Sequence, residues 1–311
     1  MSEIKALEQT PLGLSAAEIE RSFTPFVVHD AGAGDARWDA EVAKRDRRLR
    51  RNLWRRRLGW LLPQFRRNKP EIEREYAEVW DGVGFENYRL EPPPTDGAPW
   101  RWRQKRWIAS RFGGARVKLL LAMRVIELTN PQNVLEVGSG NGVNLLFLAG
   151  RFPGIRFEGL ELTEQGVRAG QGFQAAHENF PPQNAAYSPL PVEDDTAFRR
   201  VTFTQGSAQK LPFADSSFDL VLTVLALEQM EVIRGDAMRE IARVARRHVL
   251  MIEPFADGND EALRRRYVAS RDYLRARIAD LAGYGLKVEW ATADFPQKAV
   301  MAATCVLASK A

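Results

Sequence analysis

Val134 to Asn144 reads VLEVGSGNGVN, an apolar run closing on three alternating glycines and leading into LLFLAG. Glycines between a strand and a helix let a ligand approach the backbone with no Cβ in the way. The carboxyl edge of a parallel sheet is also where open α/β folds bind ligands. A dinucleotide fingerprint needs G-x-G-x-x-G. Here the third glycine comes one residue early, at Gly142, and Val143 fills the required slot. That weakens a pyrophosphate site and disfavours a nicotinamide oxidoreductase. The pattern is instead E-x-G-x-G-x-G, with Glu136 ahead of Gly138, Gly140 and Gly142. Glu161 follows at the end of the next apolar run, where a carboxylate can accept both hydroxyls of a ribose.

Outward from this loop, the chain after Asn130-Pro131 alternates short apolar runs with helical stretches. Such alternation predicts βαβ units and a parallel sheet. NVLEV, the run from Arg156 to Leu162, VTFTQ, FDLVLTVLA and HVLMIEP read as five strands. A charged helix is expected from Asp260 to Gly285, and LKVEW and AATCVLAS close the chain as two more strands. Residues 179–200, NFPPQNAAYSPLPVEDDTAFRR, are too long and proline-rich for a simple connection. They read as a lid or as an inert surface insertion.

Residues 1–115 read as a separate, helical cap region ahead of a domain at 116–311. Ser15 and Glu18 form a candidate capping box. Trp38, Val42, Leu49, Leu53 and Trp60 recur on one helix face that Pro63 should end, and Pro70 suits the start of another helix. Seven of the 8 tryptophans lie between residues 38 and 107, and we expect them to form the core of the cap. The net charge of +5 is concentrated here: from Lys44 to Lys69 the only acid is Asp46. Such a block is a solvated face or meets phosphates of a membrane or nucleic acid. We expect Arg45–Arg67 to face an anionic membrane surface, with nucleic acid second. One cysteine, Cys305, and 3 scattered histidines argue against a disulfide or a metal centre. The chain shows neither a run of ~18 apolar residues nor an apolar leader. The expected location is cytoplasmic, with peripheral contact at the inner membrane face.

With these motifs together, the sequence resembles the class I S-adenosylmethionine-dependent methyltransferases, in particular the ubiquinone/menaquinone-biosynthesis group. VLEVGSGNG is similar to the family's first motif, GLEL to its second, and QGSAQKLPFADSSFDLVLTVLALEQM to its third and fourth blocks. The resemblance covers roughly residues 130–311. It implies a Rossmann-like, seven-stranded, mostly parallel sheet with a C-terminal antiparallel strand, below the N-terminal helical cap. It also implies S-adenosylmethionine as cofactor, held by Glu136, Gly138, Ser139, Gly140, Asn141, Gly142, Glu161, Leu162, Ser207, Ala208, Gln209 and Leu225. Ser207 stands where the family has an aspartate near the adenine amino group, and the Pro-Gly-Gly before the fifth strand is missing. Glu228, in LALEQM after the fourth strand, is the candidate base or substrate orienter. A helix-start acid favoured by the dipole is its plainer role. Glu253 and His29 are weaker candidates, while His177 and His248 read as structural. VLALEQM is not the Asn/Asp-Pro-Pro-Tyr block of amino-methylating nucleic-acid enzymes, and Cys305 lies in an apolar strand rather than a Pro-Cys loop. The expected acceptor is a small molecule, a glycan or a lipid-linked precursor. RNA methylation or a non-catalytic partner subunit is the alternative, and the oligomeric state stays open.

Overall fold

The computed structural model describes residues 4–57 and 84–311. Trp60, Leu61, Leu62, the helix stop at Pro63, the arginines at 66 and 67, the helix from Pro70 and Trp80 lie outside the described residues.

β1 (Ile4–Lys5) is followed by α1 (Ala16–Phe23), which opens on the expected capping box. Ser15 Oγ accepts from the Glu18 amide, and the Glu18 carboxylate accepts from the Ser15 amide at 3.0 Å. β2 (Val27–Ala31) leads into α2 (Ala36–Arg57), the helix of the basic run. β3 (Ala98–Trp102) and β4 (Lys105–Ala109) then pair as an antiparallel hairpin, with β2 on the far side of β4. The cap is therefore not purely helical. Trp100 and Trp102 alternate with polar neighbours on β3, and Trp100 sits across from Trp107 of β4. Aromatic side chains at every second position, with arginines between, suit a half-buried strand. Trp100, Trp102 and Trp107 are buried, as the core role of the tryptophans requires, whereas Trp54 on α2 is 65% exposed.

α3 (Arg111–Thr129), capped by Ser110 at one end and by Asn130 at φ 44° at the other, crosses residues 115 and 116. Then come β5 (Asn133–Val137), α4 (Val143–Arg151), β6 (Arg156–Glu161), α5 (Glu164–Ala176), α6 (Pro182–Tyr187), β7 (Thr202–Gln205), β8 (Phe218–Val224), α7 (Arg234–Val244) and β9 (Ala245–Glu253). α8 (Ala262–Arg271) is shorter than the expected charged helix. Asp272 turns to φ 50°, and Tyr273, Leu274, Ala276 and Ile278 bury in the core instead of continuing an amphipathic face. β10 (Leu286–Thr292), β11 (Gln297–Lys298) and β12 (Thr304–Lys310) complete the chain.

The large sheet runs β1-β10-β12-β9-β8-β5-β6-β7. β5 to β9 are mutually parallel, and β12 lies antiparallel between β9 and β10. This is the expected α/β sheet of seven strands, widened by the edge strand β1. β11 joins β3 in the smaller antiparallel sheet. Successive strand residues point to opposite faces: Val134, Leu220 and Leu222 join α3, α4 and the cap tryptophans. Leu135, Val137 and Val221 join α7 on the other face.

Residues 179–200 pack their aromatic side chains into the body of the protein. Phe180, Tyr187 and Phe198 are buried in the core. Asn184 Nδ2 donates to the carbonyls of Phe85 and Tyr88, both at 2.9 Å, tying down the 3₁₀ turn at Phe85–Asn87. Burial of three aromatics is what a proline-rich sequence hides, because no regular period announces it.

Candidate functional site

The glycine turn is fixed by backbone geometry before any side chain acts. Gly138, Gly140 and Gly142 take φ values of 76°, 57° and 77°, which L side chains resist. The Gly138 and Ser139 amides both donate to the Leu160 carbonyl, at 2.8 and 3.1 Å, tying the turn to the end of β6. A Cβ on Gly138 would lie 2.6 Å from that of Ala226, and one on Gly142 would strike the Phe203 ring at 2.3 Å. Here the glycines answer to the protein's own packing as well as to a ligand.

Glu161 ends β6, buried, and its carboxylate is shared between two neighbours. One oxygen accepts from the Gly140 amide at 3.0 Å; the other accepts from the Thr163 amide at 3.0 Å and hydroxyl at 2.8 Å. The acid expected to read a ribose therefore also holds the middle of the glycine turn. Glu136, buried within β5, accepts from Asn144 Nδ2 at 2.7 Å, and its second oxygen has no hydrogen-bond partner among the described residues. Burial pushes its carboxyl up to about 8, with the Glu161 charge adding to the rise.

A cavity of about 570 Å³ opens along this edge of the sheet. Glu136, Gly138, Ser139, Gly140 and Asn141 line it from β5, Glu161 and Leu162 from β6, and Ser207, Ala208 and Gln209 from the loop after β7. Leu225, at φ 52° just past β8, lines it too. Of the expected cofactor residues only Gly142 is outside the lining, serving as the N-cap of α4. Ser207 Oγ accepts from the Gln209 amide at 3.3 Å, so the two act as one unit.

The other candidates fare differently. Glu228 is buried but does not line the cavity; its neighbours Gln229 and Met230 do. The short 3₁₀ turn there meets the cavity through the residues after Glu228. Glu253 is fully buried and accepts from the amides of Ala226 and Leu227, at 2.9 and 3.1 Å, so it shapes the loop after β8 from beneath. His29 pairs with Asp35 at 2.7 Å on β2, also outside the lining. Burial pushes the Cys305 thiol up, as for a core residue.

Four parts of the lining escaped the sequence reading. Tyr88 reaches the cavity from the cap, with its hydroxyl hydrogen-bonded to Asn141 and burial pushing its phenol up to about 12. Ala115 and Lys118 reach it from α3, Thr163 from the start of α5, and Val232 and Ile233 from the approach to α7. Only the spacing of Ala115 and Lys118 on one face of a helix would have hinted at this. Among the described residues no cluster of histidine, cysteine and carboxylates could hold a metal, and no helix is long and apolar enough to cross a membrane.

Residues 135–252 match the methyltransferase domain family. The segment runs from the glycine strand to the end of β9 and so contains the glycine turn, Glu161 and the loop after β8. The match implies S-adenosylmethionine as cofactor, and the residues present fit it. The turn is a cradle closed to larger residues, Glu161 offers carboxylate oxygens, and the unpartnered Glu136 oxygen suits a cationic group. The chain is 30% identical to norajmaline N-methyltransferase of Rauvolfia serpentina over 37% of its length and 32% of that enzyme. It is 35% identical to demethylmenaquinone methyltransferase of Roseiflexus sp. over 36% of its length and 37% of the relative. With fatty-acid O-methyltransferase of Mycolicibacterium smegmatis the identity is 30% over 53% of this chain and 50% of that one. The chain thus spans about a third to a half of the length of these relatives.

Proposed function

We propose that this protein transfers the methyl group of S-adenosylmethionine to an apolar small-molecule or lipid-linked acceptor. The observation that carries the reading is Glu161, which lines the cavity while bound to the Gly140 amide, inside the segment matched to the methyltransferase family. When bound, the cofactor supplies an electrophilic methyl on a sulfonium. The protein's part is then positioning and exclusion of water. Glu161 and the turn from Gly138 to Asn141 bind and orient, while Leu160, Leu162, Ala208 and Leu225 provide apolar walls. Tyr88 closes the cap side. The relatives are named as an N-methyltransferase of norajmaline, an O-methyltransferase of fatty acids and a demethylmenaquinone methyltransferase, which favours such an acceptor over RNA. Calorimetric titration with S-adenosylmethionine, followed by transfer of labelled methyl to a cell extract, tests this. Label in a solvent-extracted fraction supports it; label in RNA or binding without transfer would sink it.

The basic helix extends the proposal to location. Arg47, Arg48, Arg50, Arg51 and Arg55 are exposed on α2 beside the exposed Trp54. Arginines around a tryptophan suit an anionic membrane surface, which would bring a lipid-linked acceptor to the cap. Retention of the protein on anionic vesicles at low salt is expected; no retention would remove the membrane from the proposal.

A further inference from the structure

The ionisable groups lining the cavity are Tyr88, Lys118, Glu136 and Glu161. Both acids already serve the glycine turn, through Gly140 and Asn144. Lys118 does not. It lies one helical turn after Ala115 on α3, half-buried, with its open surface on the cavity. Its Nζ donates to the Gly114 carbonyl at 2.8 Å, which accounts for one of an ammonium's three donors. In the sheet β6 and β7 flank β5 on one side and β8 then β9 on the other, and α3 packs against β9. Of the charges that Lys118 feels, Glu228 follows β8 and Lys298 lies on β11 of the smaller sheet. Lys298 in turn feels Arg111 and Arg45. Lys118 and Lys298 thus both feel the Glu228 carboxylate, while Arg45 is paired with Glu41. Burial and Lys298 hold the Lys118 ammonium down to about 7, so an anion placed against it would restore its charge.

Met230, Val232 and Ile233 give this side an apolar wall beside Gln229, with Val232 81% exposed at the rim. Among the described residues no histidine or aspartate lines the cavity to take a proton. A carboxylate acceptor needs none. Its oxygen attacks the sulfonium methyl carbon, the carbon–sulfur bond breaks with its electron pair left on sulfur, and a neutral ester and a neutral thioether result. No proton is released, and no co-reactant is needed.

Resting on the methyltransferase reading, we propose that the β8 side of the cavity binds an apolar carboxylic acid. Lys118 holds the carboxylate toward the methyl donor, and the product is a methyl ester. The interaction is a charge-assisted hydrogen bond in a place shielded from water, where such bonds are short and strong. Lys118 is then a binding residue for the acceptor and plays no part in holding the cofactor.

The test uses the full chain, S-adenosylmethionine and a panel of octanoic, decanoic and phenylacetic acids, each beside its alcohol and amine, with products identified by mass. We expect methyl esters from at least one acid. Lys118→Met should raise the acid's KM about tenfold or more, the loss of one charged hydrogen bond, and leave cofactor affinity within about twofold. Lys118→Arg should restore much of the loss, and unfolding midpoints of both variants show whether the helix is intact. Cofactor binding without any ester, methylation of alcohols or amines in preference to acids, or an unchanged KM in Lys118→Met would overturn the inference alone. Failure to bind the cofactor would overturn the methyltransferase reading and the inference with it.

Discussion

The β6–β7 side of the cavity and its β8 side are built in different ways. On the first, backbone does most of the work: amides of Gly138, Ser139 and Gly140 are tied to Leu160 and Glu161, all within 24 residues of one another. On the second, side chains from distant parts of the chain converge, Tyr88 from the cap, Lys118 from α3 and Met230 from the loop after β8. A backbone-built site constrains residue type sharply, because only glycine relaxes at positive φ beside a close neighbour. A side-chain-built site leaves no local pattern, because any exposed helix position can be brought there by the fold. The first side therefore suits an invariant cofactor and the second an acceptor that can differ between relatives.

Breaking the first side should cost most. Gly138→Val forces a branched side chain into positive φ and onto Ala226. We expect cofactor affinity to fall at least about 100-fold, about 2.7 kcal/mol, measured by calorimetry on protein that still shows a cooperative transition. Unchanged affinity would mean that the turn does not touch the ligand. Glu161→Gln removes a charged acceptor from Gly140 and Thr163, and a loss of about 10-fold is expected. A smaller loss than for an acceptor-side variant would reverse the ranking of the two sides.

Asn184→Ala tests how far the two sides are joined. It leaves the Phe85 and Tyr88 carbonyls without their donor, and we expect a stability loss of about 2 kcal/mol in denaturant unfolding. Acceptor KM should rise more than cofactor affinity falls, since Tyr88 keeps its hydrogen bond to Asn141. Equal losses of both would show that the two sides are one mechanical unit.

The smallest expected effect is in pH dependence. The folded protein keeps a proton on Glu136 up to about 8, where an unfolded carboxyl has lost it above 4.5. Its contribution is thus complete below pH 4.5 and falls away as pH rises to about 8. Glu253, also raised to about 8, acts with the same sign. Lys118 acts oppositely, but mainly above about pH 7. Glu136→Gln should flatten, without abolishing, the decline in unfolding free energy across that window. A slope identical to the parent would place the titration elsewhere.

The sequence carried the sheet and the cofactor side because both leave local signatures. Glycines recur behind NVLEV, an acid ends the next strand, and apolar runs mark the buried parallel strands. It did not carry the β3–β4 hairpin, whose alternation of tryptophan and arginine is only a few residues long. Nor did it carry α3, whose apolar residues surround the helix so fully that no face stands out. Charge singles out Glu228 in the sequence, but only the 3₁₀ turn shows that Gln229 and Met230 line the cavity beside it. Lys118 could not be found from composition among the chain's 45 basic residues. Only the packing of α3 against the sheet picks it out.

The account stands most directly on one titration: S-adenosylmethionine into the purified full chain at neutral pH, read by calorimetry, with Gly138→Val alongside. We predict one saturable site per chain, lost or severely weakened in the variant. No heat of binding to the parent at millimolar cofactor, or equal binding to both proteins, would contradict it.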